Sequence, residues 1–268
     1  MILDGNRGAA LNMAIDEAML SACADGEVPP ILRLYGWERP AISLGYFQSV
    51  ERTRIDTQYC RGAGIELVRR PTGGRAVLHG HDLTFSIAIH QGRIPDGFKS
   101  VLSSHAWLMG GILAGLRLLG VQAEIGPADH GRSKSGESAD CFAHVAQCDL
   151  RVGIEKAAGA AQVRKWGALL EQGSIPCTPH SVDYRRVFGG GNSGSQTERL
   201  AALDVSRERL EEAVIRGFQE FLHVAFEPAM LSESELELAT ELERDKYATD
   251  EWTYRTLTSV SRTAILVG

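Results

Sequence analysis

The sequence predicts an α+β fold, a mixed and largely antiparallel sheet with flanking helices. Strand-like runs crowd into 31–89 and again into 121–171. The helical periodicities are few and do not alternate strictly with strands, as a parallel βαβ chain would require. No internal repeat of solenoid length and no low-complexity segment breaks the pattern. At 268 residues the chain can bury a large core without a disulfide or metal staple.

A first helix is expected over 8–24, where Leu11, Ile15, Ala18 and Ala22 recur on one face. Aliphatic and aromatic strands follow at 31–37 and 41–47, parted by the turn residues Glu38, Arg39 and Pro40. A helix around 52–62 precedes runs at 65–70, 76–78 and 83–89, which read as strands of one antiparallel sheet. The clearest helix is 99–119, with Leu102, Ala106, Met109, Leu113 and Leu116 on one stripe and Gly120 as its stop. Further strands are expected at 121–125, 149–154, 159–163 and 168–171. Beyond 176 the texture changes: 189–195 is rich in glycine and serine and reads as a surface loop. An amphipathic helix over 206–224 turns Leu210, Val214 and Phe221 inward, and Ser232 with Glu235 form a capping-box signature ahead of a last helix ending near 246.

Composition excludes several classes of function. Hydrophobic residues make up 44% and charged residues 23%, which is the balance of a folded soluble domain. A net charge of -6 with only short basic segments such as Arg69-Arg70 argues against nucleic-acid binding. No run reads as long enough to span a bilayer, and Asp4 and Arg7 break the pattern of a secretory signal. Five cysteines, odd in number and irregularly spaced, fit a reducing compartment, so a cytoplasmic location is expected.

Two motifs carry chemistry. Arg69, Arg70, Pro71, Thr72, Gly73, Gly74, Arg75, Ala76, Val77, Leu78 and His79 sit between two expected strands. Paired glycines let backbone approach a ligand and offer N–H groups to a carbonyl or phosphate oxygen, although the same residues also make plain turns with solvated arginines. Cys141-Phe142 is followed fifteen positions later by Lys156, in Glu155-Lys156-Ala157-Ala158-Gly159-Ala160-Ala161-Gln162. A lysine brought near a cysteine favours its thiolate, whereas a cysteine beside phenylalanine is otherwise a small core residue. Gly189 to Gly194 matches GxGxxG without joining a strand to a helix in a βαβ unit, and Glu137 stands where a Walker lysine must be. His79, His81 and Asp82 lack a supporting ligand pattern, so no metal is expected.

Together these motifs resemble the biotin/lipoate protein ligase family, in its lipoate ligase and octanoyltransferase branches. The likeness runs from Leu11-Asn12-Met13-Ala14-Ile15-Asp16-Glu17 to Lys246-Tyr247-Ala248-Thr249-Asp250-Glu251-Trp252. Within it, Ser138-Ala139-Asp140-Cys141-Phe142 looks like the nucleophile segment of cysteine octanoyltransferases serving the glycine cleavage H protein. Several positions depart from those transferases: Asp149 stands for their glutamate, Ala160 for a serine and Gln172 for a histidine.

The resemblance implies a biotin/lipoate ligase-like catalytic domain over 1–200 carrying an acyl tunnel on its sheet, with a C-terminal helical segment over 201–268 packed on it. It implies Cys141 and Lys156 as catalytic residues. Arg70, Thr72, Gly73, Gly74, Arg75, Ala76, His79, Gly159, Ala160 and Ala161 would bind the acyl group or substrate. As a transferase the enzyme would move octanoyl from acyl carrier protein to a lysine of a lipoyl domain such as the glycine cleavage H protein, with no cofactor. As a ligase it would instead adenylate lipoate or octanoate with ATP and magnesium.

Overall fold

The computed structural model describes residues 1–126, 149–153, 155–177, 182–189 and 205–255. Cys141, Cys148 and the 190–204 stretch lie outside them, as do 256–268. Within the described residues the strands form two sheets rather than the single antiparallel one expected for 65–89. The larger has seven strands, and the smaller has three.

The large sheet begins with a strand the sequence reading did not contain. β1 (Ile2–Arg7) pairs parallel with β2 (Ile31–Trp37), and the register slips between Leu3 and Asn6. β2 then pairs antiparallel with β6 (Asp82–His90), β6 with β10 (Ala168–Pro176), and β10 with β9 (Glu155–Lys165). The hairpin joining β9 to β10 turns through Trp166 and Gly167, at φ 53° and 79°. Two left-handed residues in succession match the twist of paired strands. Short β8 (Leu150–Val152) and β7 (Glu124–Ile125) finish the edge.

The small sheet sets β3 (Ala41–Leu44) between β4 (Glu66–Arg69), parallel to it, and β5 (Val77–His79), antiparallel. Its outer face is closed by Ile55, Cys60, Ile65, Val187 and Phe188, near the short helices α2 (Thr57–Gly62) and α4 (Tyr184–Val187).

One face of the large sheet packs on α3 (Val101–Leu118) and α5 (Arg207–Leu222). These helices touch at glycine: a Cβ on Gly217 would lie 2.2 Å from the Gly115 nitrogen. By length and composition α3 also suffices to cross a bilayer, contrary to the sequence reading, but half of it is buried in this core. Leu102, placed on its inward stripe by periodicity, is 46% exposed, and its neighbour Val101 is 59% exposed. Phe221 is partly exposed too, although its ring lies over Gly110.

The other face packs on α1 (Ala9–Ala22) and α6 (Glu233–Leu242), whose Ser232–Glu235 capping box forms as expected. α1 is enclosed so fully that Asn12, Asp16 and Glu17 are buried, and each is satisfied. Asn12 and Asp16 hold the Arg33 guanidinium at 2.7 Å, and Glu17 binds Lys246 and accepts from Tyr247 Oη at 2.6 Å. The two ends of the family-like stretch therefore meet across the core.

Candidate active site

A cleft runs between the two sheets, crossing the strands of the larger one. Its floor is a row of register partners, Gly159 on β9, Ser174 on β10, Thr84 on β6 and Tyr35 on β2. Its roof comes from the small sheet and the glycine loop through Ser43, Arg70, Gly74, Val77 and His79. At about 4.8 Å per strand the floor is about 14 Å long.

The polar groups of this floor are satisfied among themselves. Asp82 accepts from Ser174 Oγ at 2.7 Å and Thr84 Oγ1 at 2.8 Å, and is joined to His79 Nδ1 at 2.7 Å. Burial opposes its ionisation, but the His79 charge and these hydrogen bonds outweigh that and hold the carboxyl far below its usual range. His79 Nε2 meets Ser43 Oγ at 2.8 Å, and its ring stacks on Trp37 with centroids 4.1 Å apart. Trp37 Nε1 donates to Thr84 Oγ1 at 2.8 Å, which lays the indole across the cleft. With these donors and acceptors already paired, the far end presents rings and methyl groups, a surface for a chain without hydrogen-bonding groups.

The glycine loop is held from beneath. Arg70 donates to the carbonyls of Ser43 at 2.8 Å, Gly73 at 2.6 Å and Arg75 at 2.7 Å, so its guanidinium braces backbone. Gly74 has φ 87°, and the loop comes so near the strand β3 exit that a Cβ on Gly45 would lie 1.9 Å from the Gly74 oxygen. Thr72 Oγ1 donates to Gln172 Oε1 at 2.8 Å, and Gln172 Nε2 donates to Asp16 at 2.6 Å, which ties the loop to the core. Arg69 is no part of the cleft. Its guanidinium is fully buried and donates to the carbonyls of Gly45, Tyr46, Gln48, Trp252, Thr253 and Arg255. Burial, aided by the nearby Arg255 charge, pulls its pKa down to about 10.

Lys156 stands at the near end. Strict alternation would send it with Ala158 and Ala160 to the face where Gln162 bonds Ser104 of α3. The pairing with β8 prevents this: Leu150 faces Ala158 but Arg151 faces Lys156, which leaves Ala157 as an extra residue. Such a bulge re-aims a side chain. Lys156 consequently lies over Gly159 on the cleft side, where a Cβ on that glycine would be 2.2 Å from its Cε and 2.4 Å from its Nζ. The K-x-x-G spacing is thereby explained, since only glycine leaves the lysine room. Nζ forms an ion pair with Asp149 at 2.7 Å, and both side chains are 2% exposed.

Of the residues expected to bind substrate, Arg70, Gly74, His79, Gly159, Ala160 and Ala161 line the cleft. Gly73 and Arg75 sit on the loop, partly exposed, and Thr72 is buried behind it. Ala76 faces the outer core of the small sheet. Sequence reasoning did not reach Met13, Tyr35, Trp37, Ser43 or Thr84, although Tyr35 and Trp37 stand two apart on one strand and must share a face. Burial pushes the thiols of Cys23 and Cys60 up to about 11 and that of Cys177 to about 12, so none of these three is a ready nucleophile. Among the described residues no three His, Cys, Asp or Glu side chains gather as a metal site.

The chain as a whole has known relatives. The family description "Lipoyl protein ligase A/B catalytic domain" matches residues 8–212. The octanoyltransferase LipM of Kyrpidia tusciae is 38% identical over 267 residues, covering 94% of this chain and 96% of its own. Lipoate-protein ligase A bound with ATP superposes with a TM-score of 0.79 at 29% identity, over 95% of this chain and 97% of that one. A bi-partite lipoate protein ligase of Thermoplasma acidophilum, studied with its E2 lipoyl domain, gives 0.73 at 27% identity over 96% of each chain.

Proposed function

This chain belongs to the lipoyl protein ligase A/B catalytic-domain family, and on that premise we propose that it is an octanoyltransferase of protein lipoylation. The acyl donor is the thioester of octanoyl-acyl carrier protein, the nucleophile is Cys141, and the acceptor is a lysine of a lipoyl domain such as the glycine cleavage H protein. The observation that carries this reading is the Lys156 ammonium, set over Gly159 where the apolar cleft begins. The transferase name of relatives that match this chain over nearly all its length supports octanoyl as the cargo.

In the first step the Cys141 thiolate attacks the donor carbonyl, and the tetrahedral oxyanion collapses as the carrier thiolate leaves and takes a proton. In the second, the acceptor amine attacks the Cys141 thioester. The Cys141 thiolate departs, and the amine proton is released. A cation beside the carbonyl stabilises both the thiolate and the oxyanion. Thioester to amide is downhill, so this route needs no nucleotide. Intact mass after mixing with octanoyl-acyl carrier protein, without nucleotide, tests it. One hydroxylamine-labile octanoyl adduct, lost in Cys141→Ala, is expected. Acylation of a lipoyl domain only with octanoate, ATP and magnesium would establish the ligase reading instead, for which the ATP-bound relative is the precedent.

A further inference from the structure

A lysine ammonium is costly to bury unless an opposite charge accompanies it, and without one the group sheds its proton. Lys156 is 3% exposed in an apolar-walled cleft, yet the proposed chemistry requires it charged. The structure supplies the counter-charge from just before β8. Asp149 is itself 2% exposed, its Oδ2 lies 2.7 Å from Nζ, and its carbonyl accepts from Gly126 N–H at 2.7 Å, which fixes the backbone that carries it. Its other oxygen lies 3.2 Å from the point a Gly159 Cβ would occupy, so carboxylate and ammonium share the space that glycine leaves.

We propose that Asp149 is the positioning residue of the acyl-transfer site: it keeps Lys156 over Gly159 and charged within the cleft. This rests on the transferase reading above. Other charged groups flank the pair at greater remove. Arg70 lies under the glycine loop, committed to carbonyls. Arg151, the register partner of Lys156, is paired with Glu124. His105 on α3, bonded to Glu171 on the face of the sheet that meets this helix, feels both charges. Among the described residues, Asp149 is the anion placed against Nζ, at 2.7 Å.

The test compares wild type, Asp149→Asn and Asp149→Glu for thermal midpoint, for kcat and acceptor KM, and for the pH profile of octanoyl transfer to an apo lipoyl domain. In Asp149→Asn kcat is expected to fall about a hundredfold with acceptor KM little changed. The alkaline limb of the profile should move down by about one pH unit or more, because an ammonium without its carboxylate gives up its proton sooner. Asp149→Glu keeps the charge, so it should retain the wild-type limb while lowering kcat less. A purely structural aspartate would lower the thermal midpoint and leave the shape of the profile unchanged, and that result overturns the proposal. If Asp149→Asn does not fold, a shifted limb in Asp149→Glu overturns it equally. Wild-type enzyme inert toward octanoyl-acyl carrier protein would refute the transferase reading instead. The same variants are then read with octanoate plus ATP, where an unchanged Asp149→Asn rate again overturns the role of Asp149.

Discussion

Replacing Gly159 with alanine places a methyl group where the lysine now runs. The added Cβ would stand 2.2 Å from Lys156 Cε and 2.4 Å from Nζ, and ordinary contact begins near 3.4 Å. The side chain must therefore retreat by about 1 Å, the difference between those distances. The lysine is flexible, and Gly159 does not require positive φ, so the strand should tolerate alanine. Removing a glycine stabilises by about 0.4–1 kcal/mol through the unfolded chain, which offsets part of the crowding. A catalytic group misplaced by about 1 Å can cost about a hundredfold in rate, equivalent to about 2.7 kcal/mol of barrier. The assay pairs the thermal midpoint with the initial rate of octanoyl transfer. A Gly159→Ala enzyme that melts like wild type and transfers at the wild-type rate would refute the placement of Lys156 at the reacting carbonyl.

Three further predictions follow from the cleft and its surroundings. From β9 to β6 the floor spans two strand spacings, about 10 Å, and a straight eight-carbon acyl chain is about 9 Å long, so the Trp37 indole over Thr84 should end the measure. Trp37→Ala should shift the preferred donor to ten carbons or more in a chain-length series, and a folded variant still peaking at eight would contradict this. Arg69→Met removes a guanidinium from six carbonyls, in bonds that are buried at Gly45 and Thr253 and partly buried at the other four, and should cost about 3–5 kcal/mol in urea unfolding, whereas a loss below about 1 kcal/mol would show that the C-terminal segment is held elsewhere. For His105, burial lowers the pKa, but the hydrogen bond and charge of Glu171 more than offset it, and the net shift is upward. A raised native pKa stabilises fully below the unfolded value and loses that effect as pH rises through the native one. The cost of His105→Gln should thus be larger at pH 5.5 than at pH 8.5, and the reverse order would refute the pairing.

How far the sequence could be read depends on where its information is local. The helix over 99–119 and the capping box at Ser232 were legible because periodicity and a three-residue spacing state them directly. β1 was not, because Asp4, Gly5 and Asn6 interrupt any alternation and its place is set by pairing with β2. The split into two sheets was hidden for the same reason: nothing in 66–69 announces a parallel partner at 41–44. Arg69 and Arg70 are neighbours of one type, yet one locks the C-terminal segment and the other braces the glycine loop. That difference arises from strand alternation and from residues some 180 positions away. The motif around Lys156 identified the lysine and the glycine, but the bulge at Ala157 that brings them onto one face is a property of the β8 pairing.

Lys156→Ala tests the central claim most directly, with thermal midpoint and octanoyl transfer to an apo lipoyl domain measured on the same preparation. The account predicts a protein that still folds, with a rate lower by at least about a hundredfold, because the cation beside the reacting carbonyl is gone. A normally folded Lys156→Ala enzyme that transfers octanoyl at near the wild-type rate would contradict it.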